Sequence, residues 1–361
     1  MASHHHPLIR VVGSINVDFT TVTPRVPRPG ETLLATSRSV NAGGKGANQA
    51  VACGRASFLA RDTQDVKVEM IGAVGANDPY HATLIAPVLQ GAGIGVDGII
   101  EDDQSQTGSA TIIVDSTDGE NRILVVSGAN FDAMHHDRQI SDKAFAAPQP
   151  DVIVMQGEIP KETVFALVRR GAESPRTSVI LNPAPVFEDG IPLDCLQNLD
   201  VLVVNETELV QLLTALRNSD SDVAKKALPS PLPENPETLA VNEGFLQGSV
   251  SSFRELGVHI IIVTLGAKGV YYCGEGSEGK LVPAVKVERV EDTTAAGDTF
   301  VGYFAVSLAR WKGARRGDAP GTGTKRLADF PISEAIQKAN QAAAKCIQKS
   351  GAMQSIPWGY E

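Results

Sequence analysis

A doubly wound α/β fold, with a mostly parallel sheet flanked by helices and a small β-sheet lid, is the architecture this sequence predicts. From residue 151 onward, short β-rich runs (DVIVMQGE, SVILNPAP, DVLVVNETE, HIIIVTLGAKG) alternate with helix-like stretches at 162–170 and 209–216. That is the rhythm of βα units feeding a parallel sheet. Polar residues fall where those runs end, at Glu158, Asn182, Asn205 and Thr264, and the carboxyl edge of such a sheet is where ligands bind. Strand-like segments near 31–40 and 107–126 lie outside the rhythm and supply the lid.

Composition sets the outer limits. At 361 residues the chain exceeds the roughly 250–300 at which one core stops growing, so one large domain over 1–361 with an appended lid is expected. A net charge of −10, with no cluster of basic residues to offset it, leaves no footprint for nucleic acid or an anionic membrane. Any phosphate must therefore be held locally. Cys53, Cys195, Cys273 and Cys346 lie far apart without a CxxC pair, which suggests reduced thiols. No apolar run nears the roughly 20 residues of a membrane span, and the start MASHHHPLIR lacks a signal-peptide core. The expected location is the cytoplasm, with the nucleus also open to it.

In order, a strand at 9–12 leads into GSINVD, where Gly13 allows a tight turn and Asn16 and Asp18 follow the strand's carboxyl end. Neutral and ionised acceptors so placed suit sugar hydroxyls, although the stretch also reads as an ordinary turn. The proline-rich 25–30 is a loop, and 31–40 alternates loosely as an exposed strand. NAGGKGANQAVACG at 41–54 sets paired glycines before a helical run, so the backbone can pass close to a ligand, with Lys45 and Asn48 as polar side chains. The P-loop spacing is absent. Next come a strand at 66–72, a helix at 79–91 and a strand at 96–100. Gly93, Gly95 and Gly98 match GxGxxG but follow a helix and enter a strand, the reverse of a dinucleotide fingerprint. The runs 107–114 and 122–126 flank the turn-rich STDGEN as a β-hairpin.

In the alternating half, Asn205 and Glu208 stand three apart and would share one helix face, as the water shell of a magnesium ion requires. Two stretches look inserted: 217–240, rich in Ser, Asp and Pro, before a helix at 239–256, and 313–326. The strand-like 281–290 then leads to DTTAAGDTFV, and Phe300, Phe304 and Leu308 recur four apart on one helix face. At this strand-to-helix junction, Ala295, Ala296 and Gly297 let backbone N–H groups approach a ligand at a helix start, which favours anions. Asp298 adds a carboxylate to a site built for negative charge and reads as a general base, or as a helix cap. A last helix is expected at 332–349.

Six segments in order across almost the whole chain, GSINVD, GGKGANQA, NPAP, NETE, TLGAKG and DTTAAGDTF, resemble the ribokinase/PfkB family of sugar kinases. GSINVD and the Ala295–Ala296 pair lean toward its ribokinase branch. The resemblance implies a ribokinase-like fold and ATP-dependent phosphorylation of D-ribose at its 5-hydroxyl. Asn16, Asp18, Gly44, Lys45, Gly46, Ala47 and Asn48 would then hold the ribose, with Glu158 across the cleft. Asp298 would be the base, and the N–H groups of Ala295, Ala296 and Gly297 the anion hole. Asn205 and Glu208 would organise Mg²⁺ and phosphate through water. Thr264, Leu265, Gly266, Ala267, Lys268 and Gly269 would form the nucleotide loop, with Asn340 beside the base. An activating K⁺ would be held by Asp292, Ser355 and the carbonyls of Thr294, Cys346, Lys349 and Gly351. Lys349 stands where arginine is frequent, and the insertions have no counterpart in shorter members. The lid implies a homodimer. Other readings are a related kinase for 2-deoxyribose, fructose or adenosine, and a sensor that keeps the fold without catalysis.

Overall fold

Runs such as VIVM and SVIL are apolar at successive rather than alternate positions, and every residue of the Val152–Met155 and Ser178–Leu181 strands is buried. Strands covered on both faces read this way. The computed structural model describes residues 6–117, 119–135, 138–197, 199–229, 242–275, 278–315, 327 and 329–361. A nine-stranded sheet runs in the order Lys280–Val282, Val270–Cys273, Ile260–Thr264, Val201–Asn205, Ser178–Leu181, Val152–Met155, Leu8–Val12, Lys67–Ile71, Ile94–Gly95. All pairs are parallel except the two at the Lys280–Val282 edge. The first strand of the chain therefore lies inside the sheet, between Val152–Met155 and Lys67–Ile71. There the winding reverses, and a crevice opens at the carboxyl ends.

Two apolar clusters cover the two faces. One holds the buried sides of helices Lys45–Ala56, Ala296–Ala314 and Ile332–Cys346, the other those of Lys161–Glu173, Glu206–Asn218 and Glu243–Glu255. The first two of these helices cross at Gly302, where a Cβ would come within 2.3 Å of Ala52 Cβ and 2.7 Å of Cys53 N. Only a residue without a side chain permits that approach. It fixes the start of each helix relative to the other.

A separate four-stranded sheet, Asn121–Val126, Gly108–Asp115, Asn16–Thr23 and Ser37–Gly43, stands where the sequence led us to expect a lid. It corrects two expectations. GSINVD is not merely a turn: from Asn16 onward it pairs on both sides, with Gly108–Asp115 and Ser37–Gly43, and FTTVT was too polar to announce a strand. The expected strand at 31–40 starts only at Ser37 and runs on through Gly43.

Elsewhere, the 96–100 run resolves into Ile94–Gly95 and Ile100–Asp102. The run at 281–290 stops at Val282, because Pro283 has no N–H to continue a ladder. Val270–Cys273 was not foreseen; it returns antiparallel on Ile260–Thr264, so TLGAKG is a hairpin connection. Part of the first expected insertion is helical, at Asp222–Ala227, and the Ala296–Ala314 helix enters the second. Residues 230–240 and 316–326 of those insertions lie outside the described residues. The last helix closes at Cys346.

Candidate active site

The glycines of GGKG set the first wall. A Cβ on Gly44 (φ 87°) would lie 2.9 Å from Asn16 N, and one on Gly46 2.4 Å from Ser14 N. The start of the Lys45–Ala56 helix is thus pressed against GSINVD. Ser14 Oγ donates to Glu158 Oε2 (2.5 Å), Lys45 N–H donates to the same oxygen (2.9 Å), and Gly46 N–H donates to Ser14 Oγ (3.1 Å). Asn130 accepts from Ile15 N–H (2.8 Å) and donates to Ile15 O (3.1 Å) and Asn16 Oδ1 (2.7 Å), which holds the Asn16 carboxamide in place. Asn16, Asp18, Lys45 and Glu158, from separate segments, meet at one end of the crevice.

Electrostatics there are tense. Burial, and then the charge of Glu158, push the Asp18 carboxyl up from 3.8 to about 6. Lys45 is raised by the charge of Asp298, against the opposing effect of burial, with Glu158 and Glu208 adding to the rise.

Asp298 sits in the first turn of the Ala296–Ala314 helix and is 5% exposed. Asn48 Nδ2 donates to its Oδ2 (3.1 Å) and Gln49 Nε2 to its Oδ1 (2.9 Å). Ala295, the N-cap of that helix, has φ 60°, and among the described residues no other non-glycine has a positive φ. Such strain costs of order 1 kcal/mol or more and persists where the surroundings impose it. Ala296 N–H turns back to Thr293 O (3.2 Å), so it is not an open donor. Gly297 and Asp298 N–H have no hydrogen-bond partner among the described residues, and apart from its own chain neighbours and helix turn no described atom lies within 4 Å of where a Gly297 Cβ would stand. An anion can approach them directly.

Asn205 and Glu208 share a face, but as a capping box: Glu208 N–H donates to Asn205 Oδ1 (2.8 Å) and Asn205 N–H to Glu208 Oε2 (2.9 Å). Burial raises the Glu208 carboxyl; the Asn205 N–H and the charge of Lys45 pull it down, and Asp298 pushes it up again. Glu208 therefore stands within electrostatic reach of Asp298. Thr264 pairs with Asn205 across the sheet. The loop it begins closes through Leu265 N–H to Gly269 O (2.8 Å), with Gly266 at φ 53° and Gly269 at φ 108°. The Leu265 side chain is buried in the core, so only the exposed 266–268 turn faces outward. Asn340 Nδ2 reaches Pro283 O at 3.4 Å, beside Gly269, whose Cβ would stand 2.9 Å from the Pro283 carbonyl carbon.

A second cluster gathers at the far end of the DTTAAGD loop. Asp292 accepts from Thr294 N–H (2.9 Å) and Gly351 N–H (3.0 Å). Burial pushes its carboxyl up, but these bonds and the Thr294 hydroxyl together hold it below the usual range. Cys346 Sγ lies 3.7 Å from Thr294 O and 3.0 Å from Ser355 Oγ. Cys346 O accepts Lys349 N–H at 3.0 Å. The Lys349 side chain turns toward Glu361 (3.6 Å). The sequence residues Asp292, Thr294, Cys346, Lys349, Gly351 and Ser355 are thus neighbours. Among the described residues no three His, Cys, Asp or Glu side chains converge on a metal-binding point.

Sequence reasoning passed over Ser14, Gln49, Asn130 and Gln156. Gln49 and Gln156 are fully buried amides, and buried polar side chains must find partners. A glutamine among the alanines of an otherwise apolar helix face was the signal available for Gln49.

The pfkB family carbohydrate kinase pattern matches residues 7–250 and 246–359. A ribokinase of Schizosaccharomyces pombe is 35% identical over 360 residues, covering 97% of this chain and 94% of the relative. One of Haemophilus influenzae is 32% identical over 351 residues, covering 97% and 95%. The structure of Arabidopsis thaliana ribokinase complexed with ribose and ATP superposes with a TM-score of 0.75 at 27% identity, covering 98% of this chain and 96% of that one. With the crevice, the small separate sheet and the ordered motifs all in place, this chain belongs to the pfkB family of carbohydrate kinases.

Proposed function

We propose that this chain transfers the γ-phosphoryl group of ATP to the 5-hydroxyl of D-ribose, giving D-ribose 5-phosphate and ADP. The observation that carries this reading is Asp298, buried in the first turn of a helix beside the open N–H groups of Gly297 and Asp298, in the same crevice as Asn16 and Asp18. A carboxylate is a weak base toward an alcohol in water; positioned, it takes the hydroxyl proton as the oxygen attacks phosphorus in line. Charge on the transferring oxygens is met by the two N–H donors and by Lys45. Asn48 Oδ1 is a buried acceptor with no partner among the described residues, which suits it to a sugar hydroxyl. The lid strand bearing Asn16 and Asp18 would close over the sugar and exclude water.

Magnesium carried by the nucleotide would neutralise phosphate charge, with Asn205 and Glu208 holding it through water; one carboxylate and one carboxamide suit a hydrated ion better than a direct cage. The Asp292 cluster offers oxygen donors around a single carboxylate, which fits a monovalent cation such as K⁺ and not a transition metal. The lid's outer strand exposes Ile123, Leu124, Val125 and Val126, with Leu124 at 67%. An apolar sheet edge of this kind favours pairing with a second copy, a homodimer through the lid. Four buried cysteines that form no disulfide support a reducing compartment, the cytoplasm and by extension the nucleus.

The test is ADP release from ATP and Mg²⁺ with ribose, 2-deoxyribose, fructose and adenosine, each in K⁺ and in Na⁺. Ribose-dependent turnover stimulated by K⁺ is expected. Preferred turnover of another acceptor would overturn the sugar assignment, and no turnover with any acceptor would favour a sensor.

A further inference from the structure

Behind Asp298 lies a line of buried amides that the reaction does not itself require. Gln49 is 0% exposed. Its Nε2 donates one hydrogen to Asp298 Oδ1 (2.9 Å) and the other to Asn182 Oδ1 (3.0 Å), while its Oε1 accepts from Gln156 Nε2 (2.7 Å). Asn182 is oriented in turn by donating to Val203 O (3.0 Å). Each amide constrains the next. Because Gln156 presents a donor to Gln49 and both Asp298 and Asn182 present acceptors, the Gln49 amide has one satisfied orientation; flipped, it would face oxygen with oxygen twice. Gln156 Oε1 packs against Gly13, where a Cβ would fall 1.9 Å from it, and has no hydrogen-bond partner among the described residues.

We propose that Gln49 is a positioning residue for Asp298, its amide holding the carboxylate in the rotamer that meets the acceptor hydroxyl, with Gln156 and Asn182 setting the direction of that amide. This rests on Asp298 being the base of the proposed reaction. Asn48 restrains only the other oxygen, Oδ2, and a carboxylate held at one oxygen still rotates. Misplacement of about 1 Å in a reacting group costs on the order of 10²-fold. Gln49 sits on the Lys45–Ala56 helix and Asp298 on the Ala296–Ala314 helix. The Gly302 crossing that brings those helices together is therefore also what places the amide on the carboxylate.

The experiment is steady-state kinetics of the full chain with ribose and MgATP for Gln49→Met, Gln156→Glu, the double variant and Asp298→Asn, with folding checked by circular dichroism. Gln49→Met keeps the side chain's length and removes the donor; kcat is expected to fall about 10–100-fold with KM for ribose within about threefold of the parent. In Gln156→Glu the carboxylate attracts Nε2 and draws it away from Asp298, so kcat falls without any change at residues 49 or 298. Because the two act in series, the double variant should be no slower than Gln49→Met. A merely structural role would give losses that add, tracking stability. Should Gln49→Met fail to fold, Gln49→Glu keeps the shape and sets a carboxyl against Asp298, with the same loss expected. Parental kcat in a folded Gln49 variant, or additive losses, would overturn the proposal while Asp298→Asn remained inactive. Parental turnover in Asp298→Asn would overturn the base assignment, and the positioning role with it.

Discussion

Replacing Asp18 by Asn should make the protein more stable and a poorer sugar binder, and the size of the gain follows from the site. Burial and the neighbouring Glu158 raise the Asp18 carboxyl from 3.8 to about 6 in the folded chain. Folding therefore disfavours the charged form. Below pH 3.8 the group is protonated in both states and nothing is lost. Between 3.8 and 6 the folded state binds the extra proton, so stability falls as pH rises, and above 6 the full penalty applies. At 1.36 kcal/mol per pH unit the rise amounts to about 3 kcal/mol, which solvent at this partly exposed side chain reduces to about 1–2 kcal/mol. Asn has the same shape and no charge to bury. Urea unfolding of both proteins at pH 5 and pH 8, without sugar, should show the variant ahead at pH 8 by that amount and by about half of it at pH 5, where the titration is about half complete. Ribose KM should meanwhile rise about 10–100-fold, the loss of a charged hydrogen bond. An equal gain at both pH values, or a loss at pH 8, would refute the claim that the site stores a buried, repelled charge. The charge that weakens the fold is the one a hydroxyl donor is expected to use.

Asp298→Ala should lower turnover about 10²–10⁴-fold while ribose binding changes much less, as seen by calorimetry beside single-turnover kinetics. Gly302→Val should destabilise by about 1–3 kcal/mol in denaturant titrations, and kcat should drop as well, since the helix crossing that aligns residues 48 and 49 with Asp298 is pushed apart. Asp292→Ala should abolish stimulation by K⁺ over Na⁺ and leave turnover in Na⁺ nearly unchanged; a variant still stimulated by K⁺ would dissociate the Asp292 cluster from the cation. Leu124→Lys on the exposed lid strand should lower the mass seen by light scattering toward one chain, and a parent that is already monomeric would remove the lid-dimer reading.

Much of the fold and part of the site were legible in the residues alone, for identifiable reasons. Buried parallel strands need unbroken apolar runs, and glycine is needed wherever backbone meets backbone, so the sheet, the GGKG helix start and the DTTAAGD junction all announced themselves. The positions of Asn16, Lys45, Glu158 and Asp298 at strand or helix ends were local facts. The small four-stranded sheet was only half legible. Asn16–Thr23 is a partly exposed strand whose pairing partners lie on both sides, and nothing within NVDFTTVT specifies them. Asn205 and Glu208 were placed on one face by their spacing, yet spacing could not reveal that each side chain caps the other's backbone. Nor could sequence show that Ala296 spends its N–H on Thr293, because that depends on the left-handed turn at Ala295. The amide line from Val203 through Asn182 and Gln49 to Asp298 joins residues up to 249 positions apart. Hydrogen-bond direction is a property of three-dimensional neighbours, so which residue holds the carboxylate was decided only when two helices closed on the bare backbone of Gly302.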